Sequence, residues 1–210
     1  MNRTYVIPTS EKVTIENLYY KEKLSANEIA TRINVSITTV YRFMRRHKIQ
    51  RRTHKELSKL AFNKKPASYV LAPNQRTMQL KKLKTAGTIM YWCEGTTSEK
   101  ATNVDFTNSK PEMIKLFTMY LRKICGINET KLRAMIYCHK NQDVAKITNF
   151  WSNLTGIPID HFTKPYIRTD FDPNKIDKMP HGLVHIRYYD KKLLNQIREW
   201  IKEEAEQLTN

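Results

Sequence analysis

Two helix-start signals that lie eleven residues apart constrain the fold of the early part of the chain more than any other feature. Ser25, followed by Glu28, makes a capping box, and Ser36 can cap a second helix after a turn at Asn34. The apolar positions of these two helices are Ile29, Ala30, Ile33, Val40, Phe43 and Met44. An upstream segment has apolar residues at roughly helical spacing at Val13, Ile15, Leu18 and Tyr19. The pattern predicts three short helices, the last two joined by a tight turn.

The string SANEIATRINVSITTVYRFMRRHKI resembles the helix-turn-helix of resolvase and invertase recombinases and of many small repressors. The resemblance covers about 40 residues and implies that the last helix enters the major groove of duplex DNA. The residues that it places at the DNA, the last four of them near base edges, are Ser36, Ile37, Thr38, Tyr41 and Arg42. Phosphate contacts, which position a protein without specifying a sequence, are expected from Arg45, Arg46, Lys48, Arg51 and Arg52. A three-helix module for protein contact is the alternative, and the basic run favours DNA.

The distribution of charge points to the same kind of partner. The chain has 37 Lys and Arg against 20 Asp and Glu, and residues 1–85 hold 19 of the basic but only 5 of the acidic side chains. A surplus of this kind favours a polyanion, because neutralising phosphates releases condensed counterions. No segment approaches the roughly 18 apolar residues of a membrane span, and the first residues lack the apolar region of a signal peptide. We therefore expect a cytoplasmic protein without membrane contact.

The composition also divides the chain into domains. We expect a helix-turn-helix domain over residues 1–52, a basic linker with one helical turn over 53–77, and a larger α+β domain over 78–210. The linker is expected because periodicity weakens there and Pro66 and Pro73 appear. Cys93, Cys125 and Cys138 are too far apart for a Cys-rich zinc site or a disulfide framework, and we expect core thiols.

The larger domain has alternating helix and strand patterns. In order, we expect a helix over 78–94, a strand near 103–107, a helix from Pro111 that ends at Gly126, a strand over 131–140, a helix from Asp143 that ends at Gly156, strands over 162–169 and 182–189, and a terminal helix. The acidic stretch with Asp170, Asp172 and Asp177 lacks the glycine and closing glutamate of a calcium loop. We expect a solvated loop there.

One face of the three later strands is rich in basic and aromatic side chains. The residues that we expect to contact DNA from this face are Arg133, Tyr137, His139, Lys164, Arg168, His185 and Arg187. A sheet with one side backed by helices and the other basic and aromatic would suit nucleic acid. An ordinary solvated antiparallel face, which also alternates, is the alternative.

From residue 78 onward the order of elements is similar to the LAGLIDADG domain of homing endonucleases. Glu94 aligns with the acidic position near the end of the motif, Gly95 with its last glycine, and Cys93 with the small position before the acid. The resemblance implies an antiparallel-sheet saddle on DNA, where two such helices from a homodimer bring two Glu94 side chains and the adjacent Gly95 to Mg²⁺ ions at the scissile phosphates. The motif departs from the family at Ile89, where the close-packing glycine belongs, and at the bulky Tyr91 and Trp92.

These features leave two functions open. The first is a metal-dependent, site-specific endonuclease with Glu94 as the catalytic carboxylate, and the second is a transcriptional regulator that keeps the LAGLIDADG-like fold for binding alone. Asp105 on a predicted strand could assist the first function, although a salt bridge on the strand face is the commoner use of such a residue. A recombinase fits the N-terminal resemblance but lacks a recognisable nucleophile constellation. Both open functions require binding to double-stranded DNA.

Overall fold

A computed structural model of the chain describes residues 6–72, 77–96, 98–169 and 179–209. The chain forms two compact units, Met1–Pro66 and Ala67–Asn210. Each has a hydrophobic core of its own. The expected loop around Asp170, Asp172 and Asp177 lies outside the described residues.

The first unit is helical. A 3₁₀ turn at Thr9–Glu11 leads into α1 (Lys12–Glu16), which continues as a π-helical turn over Asn17–Lys21. The three helices that follow are α2 (Ala26–Arg32), α3 (Ile37–Arg46) and α4 (His54–Lys64). The fully buried side chains at its centre are Ile15, Ile29, Val40 and Met44. The three predicted helices, α1 to α3, are confirmed, and so are their apolar faces except at Val13 of α1, which is exposed.

The helix starts of this unit are built as the sequence predicts. The Ser25 side chain accepts from the Glu28 amide at 3.2 Å and the Glu28 carboxylate accepts from the Ser25 amide at 2.7 Å. Asn34 takes a left-handed backbone conformation (φ 54°) in the turn, and the Ser36 hydroxyl accepts from the Thr39 amide at 3.1 Å. These local bonds fix the angle at which α3 leaves the turn.

Helix α4 corrects the expectation of a linker with one helical turn. It spans His54–Lys64, and a second capping box starts it: Thr53 accepts from the Glu56 amide while the Glu56 carboxylate accepts from the Thr53 amide and hydroxyl. The bonds from Thr53 lower the pKa of Glu56. Composition suggested a linker because the helix is polar and exposed, but the cap outweighs that signal.

The second unit alternates helices and strands in the predicted order. Its elements are α5 (Met78–Glu94), β1 (Val104–Asn108), α6 (Pro111–Lys123), β2 (Leu132–His139), α7 (Val144–Thr155), β3 (Phe162–Arg168), β4 (Leu183–Tyr188) and α8 (Lys191–Thr209). Short 3₁₀ turns precede β2 and β3, at Glu129–Lys131 and Ile159–His161. The α+β class is confirmed for the described residues.

The sheet is mixed, which corrects the expectation of an antiparallel sheet. The strand order is β1-β4-β2-β3, with β4 antiparallel to both β1 and β2 but β2 parallel to β3. A parallel pair requires a crossover connection, and α7 supplies it between β2 and β3. Strands β1 and β3 are therefore the edges of this sheet.

The core lies between the four helices of this unit and one face of the sheet. Every second residue of β2 is buried there: Leu132, Ala134, Ile136 and Cys138. The Phe106 ring of β1 stacks on Phe117 of α6 with ring centroids 4.1 Å apart. Residues that alternate with these along each strand face the other way, and they form the open face of the sheet.

Gly87 is used inside this unit. A Cβ at that position would lie 2.3 Å from the Tyr120 ring, so α5 and α6 approach closely because residue 87 has no side chain. The small-residue surface of α5 therefore serves packing within the chain.

Candidate nucleic-acid interface

Helix α3 presents one exposed face made of four neighbouring side chains. Thr38, Tyr41, Arg42 and Arg45 follow the spacing i, i+3, i+4 and i+7, which places them on the same side of a helix. The opposite side, with Val40, Phe43 and Met44, is buried in the core of the first unit. The helix is thus anchored by one face and open along the other.

An open cavity of about 520 Å³ lies along this exposed face. The side chains that line it are Thr38, Tyr41, Arg42, Arg45, Ile49 and Arg51. Buried Ile49 holds the segment after α3 against the core, with a left-handed turn at Lys48 (φ 55°) just before it. This turn brings Arg51 back over α3, where its guanidinium carbon lies 4.2 Å from the centre of the Tyr41 ring. The contribution of Ile49 to this surface was not predicted, because its position depends on that turn.

The other predicted residues of this unit lie around the same helix. Ser36 and Ile37 are exposed at its N-terminus, and Ser36 also serves as the cap. Arg46 is exposed, and with Arg42 it lines a separate small cavity beside Ile7. No Asp or Glu occurs between Glu28 and Glu56 in the sequence, so α3 and the segment after it carry only positive charge.

Arg52 has a structural role that the sequence analysis did not predict. Its guanidinium donates to the backbone carbonyls of Leu24, at 2.9 Å, and Tyr19, and it lies 4.0 Å above the Tyr19 ring. Its amide donates to the Tyr19 hydroxyl at 2.8 Å. These contacts use the guanidinium to fasten the chain after α3 onto the π-helical turn. The assignment of Arg52 as a phosphate contact stays a prediction.

The open face of the sheet in the second unit holds a compact charged cluster. Arg187 Nε donates to Asp105 Oδ2 at 2.8 Å, and His185 Nδ1 lies 3.0 Å from Asp105 Oδ1. Thr107 Oγ1 lies 2.8 Å from the same His185 nitrogen. Burial alone would raise the pKa of Asp105, but the bonds and charges of His185 and Arg187 outweigh it and hold that pKa below its ordinary value.

This cluster uses two residues that were predicted to contact DNA. His185 and Arg187 are part-buried and directed at Asp105, so the salt bridge expected for Asp105 on a strand face is present. The link joins β1 to β4, which are neighbours only because β4 inserts between β1 and β2. This ion pair could not be predicted from the sequence, since strand order is not a local property of the chain.

The remaining predicted residues of the sheet lie on β2 and β3. Tyr137 and exposed Tyr166 stack with ring centroids 5.0 Å apart and an interplanar angle of 11°, and Arg168 pairs in register with His139. Arg133 donates from Nη1 to the Thr130 and Leu132 carbonyls, both at 2.8 Å. Lys164 is exposed in the stretch where the register of the two strands shifts.

The end of α5 is fastened to the edge of the sheet. Gly95 pairs with Phe106 of β1, and the Thr96 amide donates to the Asp105 carbonyl at 2.9 Å. The buried Tyr91 hydroxyl donates to the Thr96 carbonyl at 3.0 Å, and burial raises the pKa of Tyr91 to about 12. A Cβ on residue 95 would lie 2.5 Å from the Tyr91 ring, so this close approach requires glycine.

Glu94, the last residue of α5, is exposed, as are Trp92 and Cys93. The exposure of Cys93 corrects the expectation of three core thiols, although Cys125 and Cys138 are buried. Within the described residues, no three His, Cys, Asp or Glu side chains form a group that could hold a metal ion. One chain thus offers Glu94 as a single carboxylate, and Mg²⁺ would need DNA phosphates or Glu94 of a second copy to complete its ligands.

No family model, curated protein or solved structure matches the chain. The likenesses to helix-turn-helix and LAGLIDADG proteins therefore stay predictions from the sequence. In the described part of the chain, no helix is both long and apolar enough to cross a membrane.

Proposed function

We propose that the chain is a sequence-specific double-stranded DNA-binding protein that reads its target with α3. The observation that supports this most is the cavity along α3, where Arg42, Arg45 and Arg51 converge. An α-helix fits the major groove of B-DNA, and arginine on an exposed helix face suits both base edges and phosphates.

The positions of the side chains in this cavity suit two kinds of DNA contact, to base edges and to phosphates. Thr38, Tyr41 and Arg42 lie within the first six residues of α3, where a helix of this type reaches base edges. Arg45, in the last turn of α3, and Arg51, after the helix, also line the cavity and suit phosphates. The Tyr41 ring already holds the Arg51 guanidinium in place, so this side chain loses less conformational entropy when it binds DNA.

The test is selection from a random duplex library with the purified full chain. We expect recovery of duplexes that share a sequence pattern, and Arg42→Gln should relax that pattern at one position while Arg45→Gln weakens binding to all duplexes alike. Arg32→Gln is the matched control, because Arg32 lies on α2 and pairs with Glu22. If wild-type recovery gives no shared pattern, sequence-specific reading by α3 is refuted.

A second candidate function, Mg²⁺-dependent cleavage of the bound DNA by a homodimer, is favoured by one observation. Glu94 is exposed at the end of α5, and the neighbouring pairing of Gly95 with Phe106 fixes its backbone at the edge of the sheet. Carboxylates from two copies could hold Mg²⁺ ions at the scissile phosphates, where such ions stabilise the attacking and leaving oxygens.

Incubation of the selected duplex with Mg²⁺, and separately with a chelator, decides between cleavage and a regulator that only binds. Cleavage predicts products that require Mg²⁺ and disappear with Glu94→Gln, while binding of the duplex is retained. Intact duplex under both conditions would leave the regulator as the function of the chain. Glu99→Gln is a suitable control, since Glu99 is an exposed acid a few residues further along.

A further inference from the structure

A bulge in the sheet of the second unit changes which side chains share its open face. The register pairs Met135 with Thr163, and next Tyr137 with Tyr166, so β3 advances three residues while β2 advances two. An extra residue of this kind turns the following side chains of the strand to the opposite face. Without it, Pro165 and not Tyr166 would lie beside Tyr137.

The result of the bulge is an aromatic pair at the margin of the open face. The rings of Tyr137 and Tyr166 are nearly parallel, at 11°, with centroids 5.0 Å apart. Among the described residues, β3 is an edge strand with no further strand beyond Tyr166, and this residue is 57% exposed. One aromatic surface of the pair is therefore open to a planar ligand.

Both strands that carry this pair are basic. Neither β2 nor β3 contains an Asp or a Glu, whereas the two strands carry Arg133, His139, Lys164 and Arg168. Arg168 and His139 pair with each other two residues beyond the tyrosines on both strands. That step is about 6.6 Å along a strand, so a basic side chain lies close to any ligand on the Tyr166 ring. The combination of an open aromatic surface and nearby cations complements a nucleotide, with its flat base and its phosphate.

We propose that the open face of β2 and β3 is a binding site for single-stranded DNA, with an unpaired base stacked on the Tyr166 ring. A duplex keeps its base faces inside the stack and shows only base edges in its grooves, so a ring face selects an unpaired base. The choice of DNA as the strand rests on the proposed function of α3. The chain would then bind duplex DNA through its first unit and a single strand through its second.

The experiment measures affinity of the full chain for a labelled oligodeoxynucleotide of about 16 nucleotides without self-complementarity. Fluorescence anisotropy at one fixed salt concentration is compared for wild type, Tyr166→Ala and Tyr166→Phe. We expect Tyr166→Ala to weaken single-strand binding roughly 5- to 150-fold, as loss of one stacked base does. Tyr166→Phe should retain wild-type affinity, because the ring and not the hydroxyl stacks.

The controls separate this site from general effects. Tyr189→Ala removes a tyrosine of similar exposure outside the pair and should leave single-strand affinity unchanged. An oligonucleotide with abasic positions should bind wild type only as well as the intact strand binds Tyr166→Ala. Affinity for the duplex selected through α3 should be the same for all these variants.

Several results would overturn the proposal. Equal single-strand affinity of Tyr166→Ala and wild type would do so, as would equal losses in the alanine and phenylalanine variants. Tighter binding of RNA than of DNA of the same sequence would show that the strand is misassigned. If the wild-type chain binds no duplex while its single-strand binding depends on Tyr166, the proposed function of α3 is refuted and the single-strand site is supported.

Discussion

The salt dependence of duplex binding tests how many arginines on α3 and just after it meet phosphates. Arg42, Arg45 and Arg51 line one cavity, and we replace all three by glutamine, which keeps much of the side-chain length and removes the charge. Each phosphate contact on B-DNA contributes a slope of about −0.9 to the plot of log affinity against log salt concentration. If Arg45 and Arg51 each meet one phosphate while Arg42 meets a base edge, as proposed above, the triple variant should have a slope about 1.8 units flatter.

This change is large enough to measure. Between about 50 and 200 mM salt, wild type should lose roughly 12-fold more affinity than the triple variant does. Anisotropy titrations of one fixed duplex over that range give the slopes directly. Loss of the contact between Arg51 and the Tyr41 ring costs only about 0.5–1 kcal/mol of stability, so the variant should stay folded, and thermal unfolding checks this.

The matched control is Arg32→Gln compared with Arg45→Gln alone. Both remove one positive charge from the first unit, but Arg32 forms an ion pair with Glu22 and does not line the α3 cavity. Arg45→Gln should flatten the slope by about 0.9, and Arg32→Gln should leave it unchanged. The reasoning is refuted if the triple variant keeps the wild-type slope, or if Arg32→Gln flattens it as much as Arg45→Gln.

Three further predictions concern the second unit. Gly126→Ala should lower the free energy of unfolding, measured by urea titration, by about 2–5 kcal/mol, because φ is +55° and the added Cβ would lie 1.8 Å from the Val70 carbonyl oxygen. Gly156→Ala is the control: φ is +67° but no atom lies closer than 3.8 Å to the added Cβ, so it should lower that free energy by only about 1–2 kcal/mol. Folding lowers the pKa of Asp105 from its ordinary value of 3.8. The ionised carboxylate therefore stabilises the fold fully above pH 3.8, and this stabilisation is lost as the pH falls through the lower pKa of the folded chain. Asp105→Asn should reduce stability at neutral pH, and its stability, followed by circular dichroism, should fall less steeply at acid pH than that of wild type. Cys93 is exposed while the other two cysteines are buried. If α5 pairs in a homodimer, a short bismaleimide should link two chains through Cys93, and Cys93→Ser should abolish the cross-linked product. Absence of a cross-linked wild-type dimer contradicts the pairing.

Elements fixed by local signals could be predicted from the sequence. The capping residues Ser25 and Ser36 and the alternation in β2 are each readable within a short window, and the structure confirms them. The helix over 78–94 is also confirmed to the residue. Helix α4 was readable in the same way, since the pair Thr53 and Glu56 is a capping box, but its polar composition outweighed that signal in the sequence analysis.

Features that depend on strand neighbours could not be predicted. The parallel pairing of β2 with β3 and the bulge near Lys164 arise from the register between two strands that are separated by a helix. The bulge decides which side chains of β3 reach the open face, so the sequence alone could not place Tyr166 beside Tyr137. For the same reason the bonds of Asp105 to His185 and Arg187 emerge only from the strand order. The contacts of Arg52 with Tyr19 were not predicted, because the two residues are 33 positions apart in the sequence.

The packing of α5 sets a strict condition on any cleavage by Glu94. Two metal ions that share one phosphodiester need carboxylates close together, and helices approach most closely through glycine. The Gly87 surface of α5 is covered by Tyr120, and the exposed side near Glu94 carries the bulky Trp92. Two α5 helices that met through Trp92 would lie at the wider end of the usual 8–10 Å between helix axes. A homodimer that cleaves DNA must therefore bring the Glu94 carboxylates together at the ends of the helices, where Gly95 turns the chain onto β1. Since the bulk of Trp92 keeps the two helices apart, Trp92→Ala should strengthen the pairing of the two chains.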